Sequence, residues 1–325
     1  MNERRVRRDR IAPVLLMVAA VVALASCSAG TGSAGTGSAG TGSAGRPSGG
    51  RIAVVAAENQ YGSVASQVGG RYVSVTSVES NPNTDPHSYE VSPGVAQSVS
   101  GAQVVIENGI GYDDYMSKIV AATPDPHRAV LNVQHLLRLP DDTPNPHLWY
   151  SPATMPQVAD ALAAEYARFD PSHAAYFTGR AAAFVASLGP WLAAIEQFKA
   201  AHPRTPVATT EPVSDYMLEA AGTDNLTPFT LQADIMNGVD PSPQDVTFQA
   251  DLFAQHRVRV FVYNEQVTDS LTQSFITDAH RAGIPVVGVY ETMPVPGYDY
   301  QSWMLAEVQA LERAVTDHAS TTRLS

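Results

Sequence analysis

The sequence contains one cysteine, Cys27, among its 325 residues. A single cysteine forms no disulfide within the chain, which excludes a small scaffold held together by disulfides. If Cys27 is modified at the N-terminus, as its context indicates below, no thiolate remains for a metal site. A transition-metal site in this chain would therefore use histidine, aspartate or glutamate ligands.

Positive charge and catalytic motifs are also scarce. The 20 lysines and arginines are outnumbered by 32 aspartates and glutamates, and the net charge of -12 argues against the basic surface of a nucleic-acid-binding protein. The sequence has neither the H-E-x-x-H motif of zinc proteases nor the G-x-S-x-G motif of α/β-hydrolases. We therefore predict a protein that is not an enzyme and does not bind nucleic acid.

The first 26 residues have the pattern of an export signal. Five arginines within residues 4–10 precede an apolar stretch at 11–25, which is shorter than the roughly 20 residues that span a membrane. The stretch ends at Leu24-Ala25-Ser26-Cys27, which resembles a bacterial lipobox, where cleavage leaves the cysteine as an acylated N-terminus. The alternative is an uncleaved anchor helix with a chance cysteine. We predict a lipoprotein signal peptide at 1–26, lipid attachment at Cys27, and a location on the extracytoplasmic face of the cell membrane.

Residues 27–50 have the composition of a tether. The unit Thr-Gly-Ser-Ala-Gly occurs three times in succession, at 31–35, 36–40 and 41–45. Such a segment has too little apolar surface to offset the entropy lost on ordering. As a random coil it would span roughly 25–30 Å. We predict that it holds a folded domain near the membrane surface.

Short apolar runs alternate with helical patterns through the rest of the chain. Four runs, at 52–56, 72–78, 103–107 and 130–133, are typical of buried parallel strands. Three more follow, at 206–210, 259–263 and 285–290. Helical patterns separate them, for example at 112–122. This alternation predicts an α/β fold in two lobes, residues 51–170 and 203–325.

A long apolar stripe lies between the two sets of strands. Its residues recur at spacings of seven, four, three, four and three, as on one face of a helix: Phe177, Phe184, Leu188, Trp191, Ile195 and Phe198. Pro171 suits the first turn, and Gly189-Pro190 predicts a kink. A helix over residues 171–202 would be roughly 45 Å long. We predict that it links the two lobes as a stiff spine.

Two histidines occur in matched contexts. His87 and His147 each follow a proline, and each lies in a loop near the end of a predicted strand. A lone loop histidine is usually solvated, but proline before each of two histidines gives the rigid approach that a metal ligand needs. A third copy, His127, precedes Arg128, whose charge would oppose a metal ion. We interpret His127 as part of a surface turn.

Two carboxylates stand at predicted strand ends. Glu211 follows the run at 206–210, and Glu291 follows the run at 285–290. At the carboxyl end of a parallel strand, such a side chain can face a ligand crevice. Alternatively, Glu211 complements the dipole of the next helix, and Glu291 is an ordinary solvated loop residue. The spacing alone favours neither interpretation.

Taken in order, these segments resemble the metal-binding solute-binding proteins of bacterial ABC importers that serve zinc and manganese. The resemblance covers residues 51–318. It is carried by Asn-Thr-Asp-Pro-His-Ser-Tyr-Glu at 83–90, Asn-Pro-His-Leu-Trp-Tyr at 145–150, Thr-Glu-Pro at 210–212, and Ala-Gly-Ile-Pro-Val-Val at 282–287, which leads to Glu291. The resemblance implies two α/β lobes joined by one long helix, with a metal site in the crevice between the lobes.

The resemblance also implies a ligand set. The histidine ligands fall on His87 and His147, the third ligand on Glu211, and the acidic fourth ligand on Glu291. Glu265 is the nearest competitor for the fourth position. A glutamate as third ligand is typical of manganese-type members, whereas many zinc-type members have histidine.

The cargo implied is one divalent ion, Zn2+ or Mn2+. Glu211 and the lack of a His-rich loop favour manganese, whereas the Irving–Williams order favours zinc, which we place slightly ahead. The implied partner is an ABC transporter permease, and we expect a monomer. The competing hypotheses are a surface adhesion or interaction lipoprotein and, less favoured, a metallohydrolase. A hydrolase would keep one metal position open for water, whereas four ligands would close the shell.

Overall fold

The computed structural model describes residues 50–86, 89, 91–294 and 296–324. Gly49–Ser325 form one compact unit. The predicted signal peptide, the tether up to residue 49, Cys27 and His87 lie outside the described residues.

The first lobe is built on a four-stranded parallel sheet with the strand order β2-β1-β3-β4. Its strands are β1 (Ile52–Glu58), β2 (Val73–Glu79), β3 (Val104–Glu107) and β4 (Ala129–Asn132). Its helices are α1 (Asn59–Gly69), α2 (Pro93–Gly101), α3 (Asp114–Ala122), α4 (Val133–Leu137) and α5 (Thr154–Phe169). Each predicted run of this lobe forms a strand, and the central strands β1 and β3 are buried on both faces.

The predicted linking helix is present and bent. It consists of α6 (Ala174–Ser187) and α7 (Gly189–Ala201), with Leu188 at the break beside Gly189-Pro190. All six side chains of the apolar stripe are buried. Pro171–Ala201 is long and apolar enough to cross a membrane, but its stripe packs in the core, as expected for a core helix. Because α6 packs on α1 and α5, the first half of this helix belongs to the first lobe.

The second lobe repeats the plan with strand order β6-β5-β7-β8, again all parallel. Its strands are β5 (Pro206–Thr209), β6 (Asp224–Asn225), β7 (Val260–Asn264) and β8 (Val286–Val289). Its helices are α8 (Asp215–Ala220), α9 (Phe229–Met236), α10 (Pro243–Ala254), α11 (Ser270–Arg281) and α12 (Tyr300–Asp317). The two-lobed α/β architecture predicted from the sequence is therefore confirmed.

The end of the chain closes one edge of this second sheet. Thr321 pairs with Val287 in a parallel bridge beyond β8. Gly288 makes room for this segment, because a Cβ there would lie 2.1 Å from the carbonyl oxygen of Thr322. The strand edge of β8 is thus covered.

The lobes share one hydrophobic core. A single cluster of buried residues includes Val54 of β1, Trp191 of α7 and Trp303 of α12. Helix α12 packs on both α7 and α1. A shared core of this kind opposes a wide hinge motion and favours small displacements of one lobe against the other.

Buried carboxylates end three neighbouring strands of the first lobe. Glu58, Glu79 and Glu107 are the last residues of β1, β2 and β3, and each is at most 5% exposed. Both carboxylate oxygens of Glu58 lack a hydrogen-bond partner among the described residues. Burial raises the pKa of Glu58 well above its ordinary value of 4.5, and the charges of Asp113 and Glu79 raise it further.

This raised pKa predicts a loss of stability in alkali. Above pH 4.5 the folded state retains a proton on Glu58 that the unfolded state has lost. The free energy of unfolding therefore falls as the pH rises toward and through the folded-state pKa. Asp113 acts in the same direction, because burial raises its pKa to about 7 against the lowering effect of bonds from the Gly109 and Asn108 amides.

We expect Glu58→Gln to protect the protein selectively at high pH. The melting temperature of the variant in chelator should exceed that of the wild type by about 3 °C or more at pH 9, and by much less at pH 5. Thermal unfolding followed by circular dichroism from pH 5 to 9 measures this. Glu196→Gln, at an exposed position of α7, is the matched control. An equal difference at both pH values would refute the interpretation.

Candidate metal centre

Two of the predicted ligands, one from each lobe, contact each other. His147 lies between Pro146 and a 3₁₀ turn at Leu148–Tyr150, and Glu291 lies two residues after β8. The His147 Nε2 atom is 3.1 Å from Glu291 Oε2, and both side chains are fully buried. The contact joins residues 144 apart in sequence.

The orientation of His147 is fixed by Asn145. The Asn145 side-chain oxygen accepts from the His147 backbone N–H at 3.0 Å and lies 2.8 Å from His147 Nδ1. The Asn145 amide nitrogen donates to the Pro212 carbonyl at 2.8 Å, which identifies the two ends of the amide. Because an amide oxygen only accepts, Nδ1 carries the imidazole proton. Nε2 is thus the atom presented to the crevice, as in metal-binding histidines oriented by an outer hydrogen bond.

Glu211 joins this pair through Asn264. The Asn264 side-chain nitrogen donates to Glu211 Oε1 at 3.2 Å and to Glu291 Oε1 at 2.6 Å. Glu211 is 3% exposed, and its Oε2 atom has no hydrogen-bond partner among the described residues. A buried carboxylate oxygen without a partner is costly and fits the position of a ligand to a cation.

Electrostatics at the site favour a positive ligand. Burial raises the pKa of Glu211 well above its ordinary value, and the charges of Glu291 and then Asp85 raise it further. Asp85, which is two residues before His87 in the sequence, therefore lies near enough to Glu211 to act on its pKa. A divalent cation would reverse the unfavourable interaction between these carboxylates.

Glu291 is held by groups from both lobes. The Tyr112 hydroxyl donates to Glu291 Oε2 at 2.9 Å. The Gln266 side-chain oxygen accepts from the backbone N–H of Glu291 at 2.7 Å, and its nitrogen donates to the Thr84 carbonyl at 2.7 Å. Gln266 therefore ties the Glu291 segment to the loop that leads to His87.

The competitor Glu265 is engaged elsewhere. Its carboxylate accepts from Arg323 and from the Tyr263 hydroxyl, and its side chain is 9% exposed. Arg323 lies in the chain end that covers β8. The structure thus places Glu291, and not Glu265, against His147.

The remaining predicted residues divide into two groups. His127 is exposed, in a turn where its N–H donates to Asp125, as the surface-turn interpretation predicts. His87 lies outside the described residues, and so does Cys27. Within the described ranges, no cluster of three or more His, Cys, Asp or Glu side chains is arranged to hold a metal ion. The site described here is the His147–Glu291 pair with Glu211 joined to it by Asn264.

Sequence reasoning missed the supporting side chains. The candidate ligands are positioned by amide and phenol side chains, which do not belong to the usual transition-metal ligand types: Asn145, Tyr112, Asn264 and Gln266. Asn264 is the last residue of β7, so the strand-end argument applied to Glu211 and Glu291 also selects it.

The fold and the site define a class of protein, the two-lobed solute-binding proteins. Two α/β lobes are joined by a bent helix, and a buried cluster of histidine and glutamate lies between them. The chain belongs to the family described as ZnuA, zinc-uptake complex component A periplasmic, which it matches over residues 54–314.

Relatives agree with this assignment. The manganese-binding lipoprotein MntA of Bacillus subtilis (strain 168) is 26% identical over 133 residues, 39% of this chain and 43% of that protein. The structure of the Mn-bound periplasmic metal-binding protein of Candidatus Liberibacter asiaticus matches with a TM-score of 0.67 and 17% identity, over 81% of this chain and 98% of that chain. The periplasmic zinc-binding protein TroA of Treponema pallidum matches with a TM-score of 0.66 and 16% identity, over 80% and 99%. The chain spans less than half the length of the curated relatives it matches, and the solved structures establish the fold.

Proposed function

We propose that this protein captures one divalent transition-metal ion in the crevice between its lobes and delivers it to the permease of an ABC importer. The observation that carries the proposal is the burial of His147, Glu291 and Glu211 together, with Glu211 Oε2 unpartnered among the described residues. Two buried carboxylates that share the Asn264 amide, one of them against an imidazole, are stabilised by a cation that offsets their repulsion.

The proposed ligands are His87, His147, Glu211 and Glu291. Monodentate carboxylates would complete a tetrahedral shell of the kind that zinc adopts, at roughly 2.0–2.2 Å. Bidentate carboxylates would raise the coordination number and suit manganese. One relative is a manganese-binding lipoprotein and a structural neighbour is a zinc-binding protein, which supports a metal cargo. Zinc stands slightly ahead on intrinsic affinity.

The proposed site suits transport rather than catalysis. Four protein ligands leave no coordination position for an activated water molecule, which catalytic zinc sites keep open. The protein acts as a monomer anchored through a lipid on Cys27 at the outer face of the membrane. The shared core limits the motion on docking to a small shift between the lobes, which moves Glu211 and Glu291 away from His147 and releases the ion.

A tryptophan beside the site provides the test. The Trp149 ring lies 5.4 Å from the His147 ring and is fully buried, so a metal ion on His147 should change its fluorescence. We expect saturation at about one equivalent of Zn2+ or Mn2+ when the chelator-treated full chain is titrated in mild detergent, because the site holds one ion. Mg2+ and Ca2+, which prefer all-oxygen sites, are the control ions.

Two variants distinguish metal binding at the site from a nonspecific change in tryptophan fluorescence. Trp149→Phe should bind the metal with little fluorescence change, whereas His147→Ala should bind weakly or not at all. A wild-type protein that shows no saturable response to Zn2+ or Mn2+, or a His147→Ala variant that responds like the wild type, would contradict the proposed function.

A further inference from the structure

A tyrosine hydroxyl from one ligand-bearing segment is hydrogen-bonded to the backbone of the other. Tyr150 lies three residues after His147, and Tyr290 immediately precedes Glu291. The Tyr150 hydroxyl donates to the Tyr290 carbonyl at 2.8 Å and accepts from the Tyr290 N–H at 3.3 Å. Tyr150 is fully buried. Its position therefore determines how the His147 segment of one lobe sits against the Glu291 segment of the other.

Side chains of helix α12 contact Tyr150 and the residue before it. Glu307 Oε1, at 3.4 Å, is a second and weaker acceptor for the Tyr150 hydroxyl proton, and it accepts from Trp303 Nε1 at 2.9 Å. About two turns before Glu307, the Tyr300 hydroxyl donates to the Trp149 carbonyl at 2.6 Å. The 3₁₀ turn that follows His147 is thus attached to α12 at two points, one of which is Glu307.

Glu307 is an unusual residue for this place. It is 1% exposed, and its second oxygen has no hydrogen-bond partner among the described residues. Burial raises its pKa to about 8, against the lowering effect of the bonds from Trp303 and Tyr150. The group is therefore mostly a neutral acid at pH 7, and it serves as an acceptor rather than as a charge. An apolar residue here would leave the Trp303 N–H without its acceptor and Tyr150 without its support.

We propose that Glu307 is a positioning residue for the metal site, acting through the Tyr150 hydroxyl to hold the His147 and Glu291 segments together. The inference rests on the proposed function, because it concerns the affinity of that same site. The chemical requirement is an acceptor oxygen at this point of α12. Glutamine supplies one, and leucine does not.

The experiment compares five forms of the full chain in mild detergent: the wild type, Glu307→Gln, Glu307→Leu, Tyr150→Phe and the double variant Glu307→Leu/Tyr150→Phe. The Kd for Zn2+ is measured by competition with a chromophoric chelator. The visible absorption of the Co2+-loaded forms reports the ligand geometry. Glu312→Leu, on the same helix, is the matched control, because the partly exposed Glu312 side chain pairs with His202 and not with Tyr150.

We expect Glu307→Leu and Tyr150→Phe each to weaken Zn2+ binding about 10-fold and to alter the Co2+ spectrum. The double variant should be little weaker than either single variant, because both act through one contact. Glu307→Gln should bind within about 2-fold of the wild type and restore its Co2+ spectrum, because its oxygen replaces the acceptor. Glu312→Leu should match the wild type.

The outcomes separate this inference from the proposed function. Metal binding by the wild type with unchanged affinity in Tyr150→Phe and Glu307→Leu overturns the positioning role alone. Equal losses in Glu307→Gln and Glu307→Leu also overturn it, because they would point to the charge. If Glu307→Leu does not fold, Tyr150→Phe decides, because it removes only the hydroxyl. A wild type that binds neither Zn2+ nor Co2+ overturns the proposed function, and the inference with it.

Discussion

Replacing Glu291 by glutamine is expected to weaken binding of the metal ion by at least about 100-fold, more than the loss of an outer-sphere group causes. Glu291 Oε2 is the carboxylate oxygen nearest to His147 Nε2, at 3.1 Å. A glutamine retains the size of the side chain and the contact with Tyr112 but removes the negative charge that a divalent ion requires. Isothermal titration with Zn2+ and Mn2+ measures the loss.

Glu265→Gln is the matched control for this experiment. Glu265 is the other acidic residue that the sequence offers as fourth ligand, and its carboxylate accepts from Arg323 and Tyr263. The variant should keep the metal affinity within about 2-fold, because the Glu265 carboxylate is already engaged by Arg323 and Tyr263. The reverse pattern, with binding lost in Glu265→Gln and kept in Glu291→Gln, would assign the fourth position to Glu265.

The second large effect concerns Glu211→Gln, which should shift the melting temperature in opposite directions without and with metal. In the metal-free protein, Glu211 is buried, its pKa is raised by burial and by the charge of Glu291, and its Oε2 atom is unpartnered. Replacing this carboxyl group should raise the melting temperature in chelator at neutral pH, because the folded state no longer bears the cost of burying or protonating it. In excess metal the same substitution removes a ligand and should lower the melting temperature.

The size of this effect follows from linkage between binding and folding. An ion present at 1,000 times its Kd stabilises the folded state by about 4 kcal/mol, or roughly 10 °C for a domain of this size. Scanning calorimetry of the wild type and Glu211→Gln, with chelator and with Zn2+, measures the shift in melting temperature under each condition. Glu219→Gln, a control on α8 close in sequence, should leave the melting temperature unchanged both in chelator and in Zn2+. A destabilised Glu211→Gln variant in chelator would mean that the carboxylate is satisfied without metal.

The architecture was largely predictable because it depends on local patterns. The apolar runs that form β1 and β5 are bounded by polar residues, and the break at Leu188 follows from the neighbouring Gly189-Pro190. The strand β6 was missed. It is two polar residues long, Asp224–Asn225, and it pairs with β5 in tertiary context rather than by β propensity.

The details of the site were less predictable because they depend on contacts distant in sequence. Tyr112 and Glu291, which share a hydrogen bond, are 179 residues apart. Glu265 accepts from Arg323, which lies 58 residues later in the sequence. Strand-end position placed Glu211 and Glu291 at the crevice, but spacing alone could not choose between Glu291 and Glu265. In the structure the two residues differ in their contacts: Glu291 meets His147, whereas Glu265 meets Arg323 of the tail beyond α12, whose course no local pattern predicts.

The proposed capture of one divalent ion is tested most simply by the metal content of the protein. The full chain, purified without added metal, is analysed by inductively coupled plasma mass spectrometry beside a His87→Ala/His147→Ala double variant. We expect about one equivalent of zinc or manganese per wild-type chain, because the proposed ligands form one site, and almost none in the variant. No bound metal in the wild type, even after incubation with both ions, or equal metal in the two proteins, would contradict it.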